Sequence, residues 1–156
     1  MKWYVDASFS VHEDFRSHTG GVLKPSLGGD VLIRGSMRQK LNTRSSTEAE
    51  LVGADDFMSK IVWTSLFLKM QGLRLERNIL FQDNKSAILL ETKGRSSAGK
   101  WMRHLDVRYF FIKDIVDRGN LEIQHCPTES MVADFLTKPL QGKIFLNFRN
   151  EILGPQ

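Results

Sequence analysis

Cysteine is almost missing: Cys126 is the single thiol in 156 residues, so no internal disulfide can form and packing must hold the fold. That usage suits a reducing compartment, and Cys126 itself reads as an ordinary residue at a strand end. No apolar run approaches the roughly 18 residues that a bilayer span needs, and the N-terminus lacks the basic-then-apolar pattern of a secretory signal. An intracellular protein with no membrane contact is therefore expected. There is no internal repeat and no low-complexity tract.

The remainder is ordinary globular material, 41% hydrophobic and 26% charged, with enough apolar residues for a packed core. The length fits one domain over residues 1–156. A formal net charge of +4 and a pI near 9.3 give mild support for a polyanionic partner, since many solvated surfaces are as basic.

Lys2 to Ala7 carries aromatic and β-branched residues and reads as a strand, with Gly20, Gly21, Pro25, Gly28 and Gly29 as turn punctuation. A second strand is expected near Gly21 to Lys24 and a third from Val31 to Gln39. Ser45 to Gln71 opens with Ser and Thr caps, keeps apolar residues at helical spacing and ends at Gly72. A strand over Asn78 to Asp83 and a short helix over Lys85 to Thr92 follow, then a Gly-, Ser- and Lys-rich surface loop from Lys93 to Lys100. Leu105 to Arg118 predicts a helix stopped by Gly119, Leu121 to Cys126 a fifth strand, and Ser130 to Thr137 a helix ended or kinked by Pro139. Phe145, Phe148 and Ile152 at helical spacing predict a C-terminal helix, an extension over 141–156 after a core of about residues 1–140. Three strands followed by alternating helices and strands point to an α/β fold, a mixed sheet flanked by helices.

Several acids stand where a carboxylate should be uncomfortable. Asp6 closes the apolar run Trp3-Tyr4-Val5, and Asp83 closes Ile79-Leu80-Phe81-Gln82. Asp is common in turns and caps, so each also has an ordinary structural explanation. Asp134 lies inside Met131-Val132-Ala133-Asp134-Phe135-Leu136, where an ionised group among apolar neighbours is costly unless paired or metal-bound. The fourth acid is Glu48 or Glu50. Counting about 100° per residue from Glu50, Ile61, Ala54, Met58 and Leu51 fall at roughly 20°, 40°, 80° and 100°, so Glu50 borders the apolar stripe. Glu48 falls on the side of Asp55 and Ser59, which reads as solvated, and sits at capping-box spacing from Ser45. Thr47 and Glu50 share that spacing, so the wheel rather than the cap favours Glu50.

Four carboxylates from separate elements make chemical sense if they converge on divalent cations, because hard oxygen ligands suit Mg²⁺ and like charges would otherwise repel. Two ions about 4 Å apart can activate a water, hold a phosphate and stabilise a leaving oxygen in an in-line displacement. Periodicity and spacing do not show that the acids meet.

Five ordered blocks carry a resemblance. Tyr4-Val5-Asp6-Ala7-Ser8, Ser45-Ser46-Thr47-Glu48-Ala49-Glu50-Leu51, Phe81-Gln82-Asp83-Asn84-Lys85-Ser86-Ala87, Arg103-His104-Leu105-Asp106-Val107-Arg108-Tyr109-Phe110-Phe111-Ile112 and Ala133-Asp134-Phe135-Leu136-Thr137-Lys138-Pro139-Leu140 resemble the ribonuclease H domain of copia-type retrotransposon Pol polyproteins. The resemblance spans nearly the whole chain. It implies a ribonuclease H-like fold with a five-stranded mixed sheet, and hydrolysis of the RNA strand of an RNA–DNA hybrid during reverse transcription. It implies a cofactor of two Mg²⁺ ions, with Mn²⁺ as a substitute, held by a catalytic set of Asp6, Glu50, Asp83 and Asp134, with Asp6 bridging and Asp134 the looser ligand. It also implies a reverse transcriptase domain upstream in the same polyprotein and a cytoplasmic virus-like particle as the setting.

Hybrid-specific recognition needs short polar side chains that read 2′-hydroxyls, which nominates Asn84 and Ser8. Thr43, Ser45 and Ser46, with the following helix N-terminus, can cradle a phosphate of the DNA strand, helix capping being the equal alternative. Arg103 and His104 are further substrate candidates, and Lys93, Arg95, Lys100 and Arg108 with Arg38 and Lys40 can form a basic track beside Trp101, although each also suits a solvated surface. Many cellular ribonucleases H carry a mobile histidine near the site; His125 precedes Asp134 at a comparable distance but sits at a strand end, and His12 and His18 have no assigned role. Two other classes stay open. A catalytically silent domain of this fold would grip nucleic acid without cutting it, and a DNA-acting nuclease or transferase would spare the RNA of a hybrid.

Overall fold

The computed structural model describes residues 1–25, 31–93 and 106–154. Arg95, Lys100, Trp101, Arg103 and His104, and with them most of the expected Lys93 to Lys100 loop, lie outside the described residues. Among the described residues no helix is long and apolar enough to cross a membrane.

Strand β1 (Lys2–Ser8) pairs antiparallel with β2 (His18–Lys24), which pairs antiparallel with β3 (Ile33–Arg38). On its other side β1 pairs in parallel with β4 (Ile79–Gln82), and β4 with β5 (Glu122–His125), giving a five-stranded mixed sheet in the order β3-β2-β1-β4-β5. Helices α1 (Ser46–Met70), α2 (Lys85–Lys93), α3 (Asp106–Asp117) and α4 (Gly142–Leu153) flank it.

The two-residue period of β1 decides what each face of the sheet meets. Trp3 and Val5 are fully buried against Leu51, Phe57, Met58 and Ile61 of α1 and Ile112 of α3. Tyr4, one residue out of phase, turns to the opposite face and stacks on Phe81 at 5.0 Å between centroids. There Val22, Val132, Phe148 and Ile152 form a second core under α4, so the C-terminal helix packs on the sheet face that Tyr4 shares.

Helix ends follow their sequence signals. Ser45 caps α1 by accepting from the Glu48 N–H at 3.2 Å, and the Glu48 carboxylate accepts from the Arg44 N–H at 2.8 Å. That engagement draws Glu48 under cover, so it is buried rather than on the solvated side the helical wheel gave it. Gly72, at φ +78°, ends α1 in a Schellman motif with Leu73 N–H donating to Leu68 O and Gly72 N–H to Lys69 O.

Two expectations are corrected. β2 starts at His18, before the expected Gly21, so Gly20 is a strand residue and not turn punctuation; glycine is needed at both positions because side chains there would collide: a Cβ on Gly21 would stand 2.4 Å from the Phe57 ring, and one on Gly20 2.6 Å from Thr137 and 2.9 Å from Leu136. The expected helix from Ser130 to Thr137 is instead two 3₁₀ turns, Thr128–Ser130 and Val132–Leu136, separated by Met131 at φ −79° and ψ 83°. Val132, Ala133 and Asp134 are buried in succession on the second turn, Val132 against Val22, Phe148 and Ile152 and Ala133 against Cys126 and Met131.

Candidate functional site

The parallel register of β1 and β4 brings two acids to one end of the sheet. Trp3 lies opposite Leu80 and Tyr4 opposite Phe81, and the same register carried two residues on brings Asp6 level with Asp83. The third acid comes from the face of the sheet: Glu50, early in α1, accepts the Ala7 N–H at 3.2 Å through Oε1. One carboxylate oxygen each from Asp6, Glu50 and Asp83 lies within 4.8 Å of the others.

Asp6 and Glu50 are buried, at 1% and 4% exposure, and Asp83 is half-buried. Burial, and after it the carboxylates of Asp6 and Asp83, push the Glu50 pKa well above the usual carboxylate range, against the Ala7 N–H and the Lys138 ammonium. Its second oxygen, Oε2, is buried without a hydrogen-bond partner. Three hard oxygen donors close together, with a buried Glu50 oxygen left unpartnered in low dielectric, fit a small divalent cation: the charge it would bring is the one the cluster lacks.

Asp134 stands beside this trio rather than inside it. It is buried on the second 3₁₀ turn, and its pKa is pushed up to about 6, by burial first, with Asp6 and Asp83 adding to the rise and Lys138 opposing it. Lys138 Nζ lies 2.8 Å from Asp134 Oδ1 and 3.4 Å from Asp6 Oδ1, so an ammonium links the fourth acid to the first. Burial works against that ammonium, but its carboxylate neighbours outweigh burial and hold the lysine pKa above its ordinary value. Thr137 Oγ1 donates to Asp6 Oδ2, and Thr128 Oγ1 donates to Asp83 Oδ2 at 3.2 Å.

The expected substrate residues are placed unevenly around this centre. Ser8 is buried and donates to Thr137 O at 2.9 Å, at the rim of the acid cluster. Asn84 Oδ1 accepts from the Ser86 and Ala87 N–H groups and so caps α2. Thr43 is buried and shares a hydrogen bond with Ser17 at 2.8 Å, Ser45 is committed to its cap, and Ser46 is exposed at the start of α1. Of the basic residues, Arg108 is held by Asp55 at 2.9 Å and Arg38 by Asp14 at 3.2 Å, whereas Lys40 and Lys93 are exposed. His125 ends β5 and is exposed, and His12 and His18 pair with each other at 3.0 Å. Sequence reasoning gave no role to Thr137 or Lys138. The signal available was spacing, since Lys138 lies four residues after Asp134, but the partner that matters, Asp6, is 132 positions away.

No family model matches the chain. It is 32% identical over 138 residues to the retrovirus-related Pol polyprotein from transposon TNT 1-94 of Nicotiana tabacum, covering 88% of this chain and 10% of that protein. It is 33% identical over 150 residues to the one from transposon RE1 of Arabidopsis thaliana, covering 96% of this chain and 10% of that protein. The chain thus spans about a tenth of the length of the relatives it matches. Among solved structures it resembles a ribonuclease H1 isolated from compost by a metagenomic approach, with TM-score 0.61, 16% identity and coverage of 86% and 90% of the two chains. The same enzyme in complex with an RNA/DNA hybrid matches with TM-score 0.55 at 17% identity, over 86% and 91%. The prototype foamy virus protease-reverse transcriptase matches with TM-score 0.58 at 16% identity, over 87% of this chain and 20% of that one. At these identities the structural likeness is one of fold.

Proposed function

Because the chain belongs to the retrovirus-related Pol polyproteins of copia-type transposons, as a segment with the ribonuclease H-like fold, we propose that it hydrolyses the RNA strand of RNA–DNA hybrids during reverse transcription. The observation that carries this reading is the convergence of Asp6, Glu50 and Asp83 within 4.8 Å from a strand, a helix and a second strand's end. Asp6, Glu50 and Asp83 would hold Mg²⁺, two ions with Mn²⁺ as a substitute, and Asp134 completes the catalytic set as the looser ligand. Magnesium bound there supplies Lewis acidity at a phosphate oxygen and lowers the pKa of water.

The chain's own groups do the remaining work. The Ala7 N–H fixes one oxygen of Glu50, which leaves the other buried without a hydrogen-bond partner. Thr137 and Lys138 orient Asp6, and Lys138 offsets negative charge that a phosphate would otherwise meet. The half-buried Asn84, beside Asp83, keeps its amide N–H groups for a 2′-hydroxyl, and Ser8 keeps oxygen lone pairs at the rim. Ser46, exposed at the start of α1, would meet a DNA-strand phosphate with the helix N-terminus, while Ser45 caps the helix and Thr43 is bonded to Ser17 behind it; Arg103 and His104 would be further substrate contacts. A hybrid substrate is supported by the compost enzyme of like fold, solved with an RNA/DNA hybrid, and an upstream reverse transcriptase by the foamy virus protein. The Pol relatives support a virus-like particle as the setting.

The test compares labelled RNA–DNA hybrid, double-stranded RNA and duplex DNA, with Mg²⁺ and with chelator. The RNA of the hybrid alone is expected to be cut, only with metal, and Asp83→Asn should lower the rate on the order of 100-fold or more, as for loss of one preorganised electrostatic group. Hybrid binding without cleavage would favour the silent domain, and cleavage of duplex DNA would favour the DNA-acting class.

A further inference from the structure

Two polar side chains are completely enclosed next to the carboxylate cluster and serve none of the roles above. Gln82 ends β4, immediately before Asp83, and Glu91 lies on α2, the helix that leaves Asp83 through the Asn84 cap; both are 0% exposed. Gln82 Oε1 and both carboxyl oxygens of Glu91 are buried without a hydrogen-bond partner, a rare condition for enclosed polar atoms. The Gln82 carboxamide faces Glu91 in contact range, short of good hydrogen-bond geometry. On its other side Gln82 Nε2 reaches the main-chain oxygen of Glu50 at 3.5 Å, a long contact between β4 and α1.

Of the two forms of Glu91, only the neutral acid can partner Gln82 Oε1. An ionised Glu91 offers only acceptors and leaves Gln82 Oε1 orphaned, whereas the neutral acid can donate its O–H to that oxygen. Burial drives Glu91 the same way, pushing its pKa well above the usual carboxylate range against the contact with Gln82.

We propose that Glu91 is a positioning residue: its enclosed carboxyl anchors the Gln82 carboxamide, and through it the Glu50 main chain and the end of β4, so that Glu50 and Asp83 keep their spacing. This rests on the reading that those two acids hold metal. If Glu91 were only an apolar-core defect, an isosteric hydrocarbon would replace it with no effect on the cluster.

The experiment uses Glu91→Leu and Glu91→Gln in the full chain, with Gln82→Met as a second way to cut the same link should Glu91→Leu fail to fold. In metal-free protein, exchange of the Ala7 amide, which donates to Glu50 Oε1, should quicken in Glu91→Leu and Gln82→Met and stay near wild type in Glu91→Gln. Calorimetric Mg²⁺ titration should show affinity on the order of 10-fold weaker in the first two variants, the scale of losing an outer-shell partner, and restored in Glu91→Gln. Unchanged Mg²⁺ affinity and Ala7 exchange in both link-cutting variants would overturn the proposal, as would a loss in Glu91→Gln equal to that in Glu91→Leu. A wild type that binds no Mg²⁺ would instead defeat the functional reading, while the metal-free exchange data still decide whether the brace exists.

Discussion

A buried carboxyl with like-charged neighbours keeps its proton unless a cation replaces it, and that rule governs Glu50 and Asp134. The Asp134 pKa rises from 3.8 to about 6 on folding, so between those values the native state binds more protons than the unfolded chain. Its contribution favours the metal-free fold below that window and is lost as pH rises through about 6. Metal binding runs the other way, because the ligands must be deprotonated. Mg²⁺ affinity should therefore increase as pH rises through about 6, with proton release that calorimetry in buffers of different ionisation enthalpy will count. Lys138 lowers the Asp134 pKa, so Lys138→Met should move the acidic limb of the pH–rate profile upward and slow cleavage below it; an unmoved limb would remove Lys138 from the site. Asp6, Asp83 and Asp134 were readable as residues, since each closes or interrupts an apolar run, and Glu50 by its place beside the apolar stripe of its helix. Lys138 and Thr137 were not, because a polar residue just after a helical signal looks solvated until the segment is seen lying on Asp6.

At the scale of elements, Gly20 is where the catalytic geometry meets packing. It sits opposite Asp6 across the β1–β2 pair, and its missing side chain admits the 133–137 segment that carries Asp134 and Thr137. Gly20→Ala should therefore destabilise the fold by about 1–3 kcal/mol, as overpacking does, and weaken Mg²⁺ binding by shifting Thr137 off Asp6. Denaturant unfolding and calorimetry on the same variant will show whether the two losses come together. Element type was legible where periodicity ran long, as in α1, whose buried Leu51, Ala54, Met58 and Ile61 match the predicted stripe. It failed at glycine pairs and short apolar runs. A glycine needed for close approach inside a strand looks like a turn glycine, and eight residues with a buried acid suit a helix or 3₁₀ turns until their partner surface is known.

For the whole molecule, the strand order β3-β2-β1-β4-β5 places β1 and β4 side by side although some 70 residues separate them, and that adjacency creates the site. Sequence patterning supplied the strands and the family resemblance a five-stranded mixed sheet, whereas the order of the strands is seen only in the structure, because pairing between distant strands leaves no local trace. The C-terminal helix belongs to the same design. Phe148 and Ile152 pack on Val132, two residues before Asp134, so Phe148→Ala should cost about 3–5 kcal/mol of stability and blunt cleavage through the turn beneath it, as thermal unfolding and rate measurements will test. The most direct test of the central claim, that the acids on β1, on α1 and just after β4 form a divalent-metal centre, is a Mn²⁺ titration followed by electron paramagnetic resonance on wild type and Glu50→Gln. Saturable binding to wild type, strongly weakened in the variant and displaced by Mg²⁺, is predicted; equal binding by both proteins, or none by wild type, would contradict it.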